Sequence, residues 1–234
     1  MRWRQYKIAR ERMVREHVYA RGIRDPRVID AMLRVPRHLF IGRDAGIEAY
    51  ADHSYPIGFR QTMSQPYMVA YLCEELRLNG EERVLEIGTG SGYHAAVLAN
   101  LCREVCTIER VPELADRART LLRDLLVTNV AVHHGDGARG WNEGMFDRVL
   151  LTAAARHVPR ALLGQVADGG FLIGPVIRSD DPEHKQEVVR LTRRGGKFDV
   201  ERLIECSFVP LVRDAKPGTR RVANRKRNPA GTRA

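Results

Sequence analysis

Residues 83–99 read RVLEIGTGSGYHAAVLA, which gives a candidate strand, a glycine-rich turn and the start of a helix near Tyr93 in direct succession. Gly88, Gly90 and Gly92 stand in the turn with one residue between neighbours. Because glycine has no side chain, a ligand can lie directly against the backbone of such a turn. The stretch therefore predicts an α/β fold whose turn binds an adenine-containing cofactor.

Two features of this stretch distinguish between the cofactors that use such turns. An adenine dinucleotide and S-adenosylmethionine both suit a glycine-rich turn, but the spacing here is G-x-G-x-G rather than the dinucleotide pattern G-x-G-x-x-G. Glu86 stands two residues before Gly88, and this acid together with the spacing resembles motif I of the methyltransferases. The pattern favours methyl transfer over hydride transfer, and it predicts that Glu86, Thr89 and Ser91 bind the cofactor along with the three glycines.

Apolar strand candidates alternate with helical stretches on both sides of the turn. Such alternation predicts a doubly wound, mostly parallel sheet. The later candidates read as closing strands, partly antiparallel. Besides RVLEI, the candidates are EVCTIE (104–109), NVAVH (129–133), DRVLLT (147–152), GFLIGP (170–175), EVVRLT (187–192), residues 197–206 and SFVPLV (207–212).

The segment before the sheet predicts helices and loops that form a cap. Met13, Val14 and Val18 share one helical face, and Asp25-Pro26 is a typical start for a second helix. We expect residues 1–212 to form a single methyltransferase domain, with the cap at 1–60 and the Rossmann-like sheet at 61–212.

The charge of the chain is concentrated at its end. The formal net charge is +10, and residues 213–234 hold eight Lys/Arg and one Asp, which leaves only +3 for the rest. Because this tail has almost no large apolar residues, we expect it to be disordered and solvated. Weak RNA association remains open, but the near-neutral body does not favour a specific nucleic-acid partner.

Composition excludes several other classes of protein. No apolar run approaches the roughly 18 residues that span a bilayer, and the charged N-terminal stretch does not read as a secretion signal. We therefore expect a cytoplasmic monomer with no membrane partner. The four cysteines include no C-x-x-C pair, and His133 and His134 would point to opposite faces of a strand. The cysteines are thus predicted to be buried, reduced thiols, and no metal is expected.

Two acidic positions at strand ends extend the predicted cofactor site. Glu109 ends the second strand candidate, 21 residues after Gly88, where a carboxylate can accept hydrogen bonds from both ribose hydroxyls. Asp136 and Gly137 follow the third candidate, from which Asp136 can face the adenine amino group. Taken alone, Glu109 could be a surface acid and Asp136-Gly137 a plain turn.

A chain of motifs now resembles the protein-L-isoaspartate O-methyltransferase family, in order and at the family's spacing, from about residue 10 to 212. The resemblance implies a Rossmann-like fold dependent on S-adenosyl-L-methionine. It also implies methylation of the free α-carboxylate of L-isoaspartyl and D-aspartyl residues in damaged proteins, which initiates their repair. The motifs are VPRHLFI (35–41), AYAD (49–52), YPIGFRQTMSQPYMVA (55–70), VLEIGTGSGYHAAVLA (84–99), GDGARGW (135–141), FDRVLLTAAA (146–155), VPRALLGQVADGG (158–170) and FVPL (208–211).

The family's acceptor signature, approximately G-Q-T-I-S-Q-P, stands here as RQTMSQP (60–66). The resemblance implies that Ser64 is the active-site residue, with Thr62 beside it. From the residues alone, Ser64 could equally be an N-cap of the helix that begins near Pro66. The chain departs from the family at two positions, with Arg60 in place of the usual glycine and His94 in place of the usual glutamine.

Two other functions remain open on the sequence. The first is a methyltransferase of the same fold with another acceptor, such as an aspartate in a peptide natural product, or RNA. The second is a cofactor-binding protein without catalysis. RNA is disfavoured because the sheet region has no Asn-Pro-Pro-Tyr-like or Pro-Cys motif, and loss of catalysis because the motif residues all stand in place.

Overall fold

The computed structural model describes residues 2–42, 45–179, 181 and 183–212. Its six α-helices within these ranges are α1 (Arg2–Met13), α2 (Pro26–Arg34), α3 (Pro66–Glu75), α4 (Tyr93–Leu98), α5 (Pro112–Asp124) and α6 (Arg160–Gly164). Its strands are β1 (Tyr55–Gly58), β2 (Gln61–Met63), β3 (Arg83–Ile87), β4 (Glu104–Glu109), β5 (Val130–His134), β6 (Phe146–Leu151), β7 (Val166–Ile177), β8 (Gln186–Arg194) and β9 (Lys197–Cys206).

Seven strands form one sheet in the order β5-β4-β3-β6-β7-β8-β9. The first five run parallel, and β8 and β9 join antiparallel to the end of the sheet. The order reverses between β3 and β6, since β4 and β5 continue to one side of β3 while β6 and β7 continue to the other. A ligand crevice opens at such a reversal, at the carboxyl ends of the strands.

Opposite faces of the sheet pack against two separate hydrophobic clusters. Along β3, Val84 belongs to the cluster that contains the cap helices and α4, whereas Leu85 and Ile87 belong to the cluster that contains Leu162 of α6. The central strands β3 and β4 are buried on both faces, as in sheets covered by helices on both sides, whereas the edge strand β5 is partly exposed. This is the doubly wound, mostly parallel sheet that the alternation predicted.

The cap packs onto the sheet through the residues that its pattern indicated. Met13, Val14 and Val18 are buried in the same hydrophobic cluster as Val84 of β3. A π-helical turn, Val14–Val18, follows α1 directly. The Asp25 side chain caps α2 by accepting a hydrogen bond from the backbone N–H of Arg27, as the Asp-Pro start predicted.

A two-stranded hairpin of β1 and β2 joins the cap to α3, and no sequence pattern predicted it. Its turn residues Phe59 and Arg60 are exposed, and both adopt the left-handed conformation, with φ of 53° and 58°. The hairpin crosses the predicted boundary at residue 60, so the cap and the sheet are joined by a structured element rather than by a linker.

One predicted strand is wrong. Residues 207–212 form no strand of the sheet but run as an extended segment past the end of β6, where Ala154 donates a hydrogen bond to the Val209 carbonyl. Ala154 in turn accepts one from the Leu211 N–H. These two bonds form a single parallel bridge between Ala154 and Pro210, and the pairing does not continue into a strand.

Two further expectations concern the C-terminal tail and the four cysteines, of which Cys206 is only half-buried. The predicted disordered tail, 213–234, lies outside the described residues. All four cysteines are free thiols, and Cys73, Cys102 and Cys106 are buried, as predicted. In the part of the chain that the structure describes, no helix is both long and apolar enough to cross a membrane.

Candidate functional site

The glycine-rich turn begins where β3 ends, and the Thr152 side chain binds its first residues through hydrogen bonds. The Thr152 hydroxyl lies 2.9 Å from the Ile87 carbonyl oxygen and 2.7 Å from that of Gly88. Gly88 has φ of 103°, and a Cβ atom added to it would lie 2.3 Å from the Thr152 hydroxyl oxygen. Only glycine satisfies both the backbone conformation and the lack of space at this position.

The other two glycines bring the turn into α4. Gly90 and Gly92 also have positive φ, of 55° and 87°, and the Gly92 N–H donates to the Thr89 carbonyl at 2.9 Å. The Ser91 hydroxyl accepts a 3.3 Å hydrogen bond from the N–H of Tyr93, the first residue of α4. The turn therefore forms as predicted, with its backbone open on the side that faces the crevice.

Glu109 ends β4 beside this turn and binds it directly. One carboxylate oxygen accepts a 2.7 Å hydrogen bond from the Gly90 N–H, and the other accepts a 2.9 Å bond from the Val111 N–H. The side chain is 94% shielded from solvent, yet each carboxylate oxygen has a further lone pair. Glu109 is thus fixed at the position from which a carboxylate can hold the ribose hydroxyls.

Glu86 lies in the interior beneath the turn, and it lines neither cleft described below. One carboxylate oxygen accepts a 2.6 Å hydrogen bond from the Thr107 hydroxyl, which also lies 2.6 Å from the Thr89 hydroxyl. The other is buried without a hydrogen-bond partner, 3.9 Å from Nδ1 of His94. Glu86 therefore contacts the turn through Thr107 rather than facing a ligand.

Burial determines the protonation of this pair. Desolvation, with a smaller contribution from the Glu109 charge, raises the pKa of Glu86 to about 8, although the Thr107 hydrogen bond opposes the shift. Desolvation lowers the pKa of His94 to about 3. Burial therefore favours the neutral form of both Glu86 and His94. His94 Nε2 lies 3.4 Å from the thiol of Cys73 on α3, so this polar chain connects the cap side to the turn.

Asp136 and Gly137 follow β5 at the same edge of the sheet. Asp136 caps a short 3₁₀ turn by accepting a 3.0 Å hydrogen bond from the Ala138 N–H, and its side chain is 6% exposed. Gly137 is buried, and an added Cβ would lie 2.5 Å from the Ile87 side chain. The predicted turn is present, and Gly137 is the member of the pair that lines the crevice.

The main cleft, of about 640 Å³, opens at the switch point of the sheet. It brings together the glycine-rich turn, the end of β4, the turn after β5 and the hairpin. A further wall is the extended segment 209–212, which the sequence pattern predicted as part of a strand. The lining residues are Gln61, Thr62, Ile87, Gly88, Gly90, Ile108, Glu109, Arg110, Val111, Gly137, Thr152, Ala153, Val209, Pro210, Leu211 and Val212.

The small cleft, of about 340 Å³, adjoins the main cleft and contains Ser64. Its lining combines residues 62–64 of the acceptor signature with the glycine-rich turn and with Tyr93 and His94 of α4. Four residues line both clefts, so the two are neighbours across the turn. These are Thr62, Gly88, Gly90 and Thr152.

Ser64 is not the N-cap of α3. Gln65 occupies that position, and no side chain caps the helix. The Ser64 hydroxyl makes no hydrogen bond to any residue that the structure describes, whereas its carbonyl accepts a 2.8 Å bond from Arg37. The hydroxyl therefore remains available to a ligand in the small cleft, and the alternative that it only caps the helix does not hold.

Thr152 is the site residue that sequence reasoning missed. It follows the last residue of β6, and a strand end next to the switch point is where α/β proteins place ligand contacts. The position of Thr152 at the end of a predicted strand is the feature of the sequence that could have identified it as a site residue. What the sequence could not show is that the Thr152 hydroxyl would fill the space under Gly88.

The chemistry of the main cleft fits an adenosyl ligand. The backbone approach at Gly88 and Gly90 is unobstructed, and Glu109 offers a fixed carboxylate beside it. Among the described residues, no group of three or more His, Cys, Asp or Glu side chains is arranged to hold a metal ion.

Comparisons with known proteins agree with this geometry. A family model described as "Protein-L-isoaspartate(D-aspartate) O-methyltransferase (PCMT)" matches residues 8–216. Protein-L-isoaspartate O-methyltransferase 2 of Geotalea uraniireducens is 50% identical over 207 residues, which cover 88% of this chain and 94% of that one. The protein-L-isoaspartate O-methyltransferase of Syntrophotalea carbinolica is 48% identical over 209 residues, with the same coverage of 88% and 94%.

A solved structure is similar as well. The crystal structure of a Plasmodium falciparum protein assigned to the protein-L-isoaspartate O-methyltransferases superposes with a TM-score of 0.75 at 26% sequence identity. The match covers 88% of this chain and 99% of that one, and that protein was crystallised in complex with S-adenosyl-L-homocysteine.

Proposed function

Since the chain belongs to the protein-L-isoaspartate(D-aspartate) O-methyltransferase family, we propose that its two adjoining clefts hold the two substrates of one methyl transfer. The enzyme uses S-adenosyl-L-methionine to methylate the free α-carboxylate of L-isoaspartyl and D-aspartyl residues in damaged proteins, which initiates their repair. The observation that supports the two-cleft arrangement is that Thr62, Gly88, Gly90 and Thr152 line both clefts.

The main cleft is assigned to the cofactor. Gly88, Gly90 and Gly92, with Thr89 and Ser91 between them, form the backbone surface for its methionine end. Glu109 is proposed to hold the ribose hydroxyls, because its carboxylate is fixed beside Gly90 at the end of β4. Asp136 and Gly137 are proposed to border the adenine, and Gly137 lines the cleft at that end. Glu86 is a positioning residue that supports the turn from beneath through Thr107.

The small cleft is assigned to the acceptor carboxylate. The Ser64 hydroxyl, which has no partner among the described residues, is proposed to donate a hydrogen bond to one carboxylate oxygen. Thr62, which lines both clefts, is proposed to hold the carboxylate next to the donor methyl group. The other carboxylate oxygen then remains unencumbered for the reaction.

The reaction needs orientation rather than proton transfer. When bound, S-adenosyl-L-methionine supplies a methyl group on a sulfonium sulfur, which a nucleophile can take with the sulfur as leaving group. A carboxylate with a pKa of about 4 is already ionised at neutral pH, so the protein needs no general base. The chain contributes in-line placement of the oxygen and exclusion of water, effects that can account for a large part of a rate enhancement.

We further propose that residues 1–212 act as one methyltransferase domain and as a cytoplasmic monomer with no specific nucleic-acid partner. The single domain is supported by the shared core, since Met13 and Val18 of the cap lie in the same hydrophobic cluster as Val84 and Leu150 of the sheet.

The test is transfer of labelled methyl from S-adenosyl-L-methionine to two peptides that differ only in an isoaspartyl or aspartyl linkage, scored as base-labile methyl ester. We expect preferential labelling of the isoaspartyl peptide. Labelling of neither peptide by a preparation that binds the cofactor, or labelling of added RNA instead, would refute the assignment of the acceptor.

A further inference from the structure

Arg37 is a fully buried cation at the back of the acceptor segment. Its exposed fraction is 0%, although arginine is among the residues least often buried completely. Its Nη2–H donates to the Ser64 carbonyl at 2.8 Å, and its Nε–H donates to the Ala49 carbonyl at 2.8 Å. The guanidinium therefore links the backbone of Ser64 to that of Ala49 in the cap.

Arg37 forms no ion pair within 4 Å among the described residues; the Asp52 carboxylate acts on its charge from a greater distance and is itself paired with Arg21 at 2.7 Å. Both of its hydrogen-bond acceptors are neutral carbonyls, and its guanidinium carbon lies 4.8 Å from the centre of the Tyr93 ring. The Nη1 atom is buried without any hydrogen-bond partner. Desolvation lowers the pKa of Arg37 to about 10, so the group is still charged at neutral pH. A buried charge of this kind is costly unless an opposite charge approaches it.

The small cleft is where an opposite charge arrives. Ser64 and Tyr93, which both contact Arg37, also line that cleft, and the acceptor of the family's reaction is a carboxylate. A carboxylate bound at the Ser64 hydroxyl would lie close to the guanidinium, which is itself bonded to the carbonyl of the same residue. For two unit charges ~7 Å apart in a medium with an effective dielectric constant of about 20, the attraction increases the affinity of the site for the carboxylate roughly 10- to 50-fold.

We propose that Arg37 is the buried counter-charge for the acceptor: it attracts the isoaspartyl α-carboxylate to Ser64 and aligns it there without touching it. Arg37 is thus a positioning residue that selects for negative charge. This inference rests on the proposed assignment of the small cleft to the acceptor. The competing role is a neutral one, in which Arg37 only fixes the backbone of Ala49 and Ser64.

A matched pair of ligands separates these two roles. The first is an isoaspartyl peptide, and the second is the same peptide with its free α-carboxylate converted to the carboxamide, which has nearly the same shape but no charge. Affinities of both would be measured by calorimetry on the full chain saturated with S-adenosyl-L-homocysteine. If Arg37 has only a structural role, replacing it should change the affinities for both peptides by the same factor. If Arg37 is a counter-charge, replacing it should change the ratio of the two affinities.

Three variants complete the experiment. Arg37→Gln removes the charge and keeps an amide donor, Arg37→Lys keeps the charge and loses the forked donor geometry, and Arg34→Gln removes an exposed arginine of α2 as the control. We expect the preference for the charged peptide to fall about 10-fold or more in Arg37→Gln. It should be largely kept in Arg37→Lys, even if both peptides bind more weakly, and unchanged in Arg34→Gln.

Equal weakening of both peptides in Arg37→Gln would overturn the proposal and leave only the backbone role. If Arg37→Gln fails to fold, Arg37→Lys decides, since loss of the charge preference in a variant that keeps the cation is incompatible with a counter-charge. A wild-type protein that neither methylates the isoaspartyl peptide nor prefers it over the carboxamide would instead contradict the proposed function itself.

Discussion

The Thr152 hydroxyl donates a 2.7 Å hydrogen bond to the Gly88 carbonyl, and it also occupies the space that a side chain at Gly88 would need. One contact thus joins the ends of β3 and β6 at the switch point of the sheet. Because Thr152 lines both clefts, the same contact lies between the proposed cofactor site and the proposed acceptor site.

Gly88→Ala should therefore destabilise the protein more than an alanine substitution at another glycine with a similar positive φ. Gly80 is the matched control, because its φ of 108° resembles the 103° of Gly88 but nothing lies within 4 Å of an added Cβ. We expect about 1–2 kcal/mol of destabilisation for Gly80→Ala from strain alone. Gly88→Ala should cost a further ~1–3 kcal/mol from the contact with Thr152, together with most cofactor affinity. Denaturant unfolding and calorimetric binding test this, and equal losses in the two variants would contradict it.

Ser64→Ala should slow methyl transfer without weakening cofactor binding. A hydrogen bond to a charged group contributes about 1.5–3 kcal/mol, so kcat/KM for an isoaspartyl peptide should fall roughly 10- to 100-fold. The control is Ser54→Ala, which alters an exposed serine just before β1. Unchanged peptide kinetics in Ser64→Ala would remove this residue from the site.

Glu109→Gln should weaken the binding of the cofactor and leave the binding of the acceptor peptide almost unchanged. The two carboxylate oxygens each accept a hydrogen bond from a backbone N–H. In glutamine the amide oxygen can still accept one of these bonds, but the amide nitrogen can accept neither the other nor a bond from a ribose hydroxyl. We expect the Kd for S-adenosyl-L-methionine to rise about 10- to 100-fold, while the KM for the peptide changes little. Glu113→Gln, at an exposed position of α5, provides the control. An unaltered Kd would refute the ribose assignment.

The stability of the Glu86→Gln variant relative to the wild type, both without cofactor, should increase as the pH rises. Burial raises the pKa of Glu86 to about 8, above the ordinary value of 4.5 that the unfolded chain has. Between about pH 4.5 and 8 the native state therefore binds a proton that the unfolded state has lost, so this group makes stability fall by up to about 1.4 kcal/mol per pH unit.

The variant lacks that titration, and its stability relative to the wild type should therefore increase from pH 5 to pH 8. Chemical unfolding at both pH values measures the difference. A difference in stability that does not depend on pH would show that Glu86 is ionised in the folded protein near neutral pH.

Arg60→Gly should stabilise the hairpin and alter the choice of peptide. Arg60 has φ of 58°, a conformation that costs an L-residue about 1–2 kcal/mol relative to glycine, part of which is offset by the greater chain entropy of unfolded glycine. We expect a net gain of up to about 1 kcal/mol. Arg77→Gly, at another exposed arginine with φ of 49°, should give a similar gain.

The two arginine variants should differ in activity. Arg60 is exposed and precedes Gln61 and Thr62 of the main cleft, so its removal should raise the KM of isoaspartyl peptides with acidic neighbours, whereas Arg77→Gly should not. Equal kinetics of both variants with acidic and neutral peptides would exclude a role for Arg60 in acceptor choice.

Much of the fold follows from local sequence pattern. The strands RVLEI and EVCTIE have the predicted bounds, because short apolar runs bounded by turn residues identify buried parallel strands. The glycine-rich turn is equally local, since its conformation depends on residues that are adjacent in the chain. Glu109 and Gly137 could be placed for the same reason, as each stands at the end of a predicted strand.

The sequence by itself thus determined the sheet, the turn and the positions at its edge, whereas the tertiary structure alone decided which distant groups support them. Thr152 is 64 residues from Gly88, and Arg37 is 27 residues from Ser64, so no local pattern connects either pair. Residues 207–212 have the composition of a strand, but they form only one isolated bridge, to Ala154, and residues 209–212 line the main cleft. Contacts of this kind depend on how whole elements pack, and that packing is settled only once the sheet has formed.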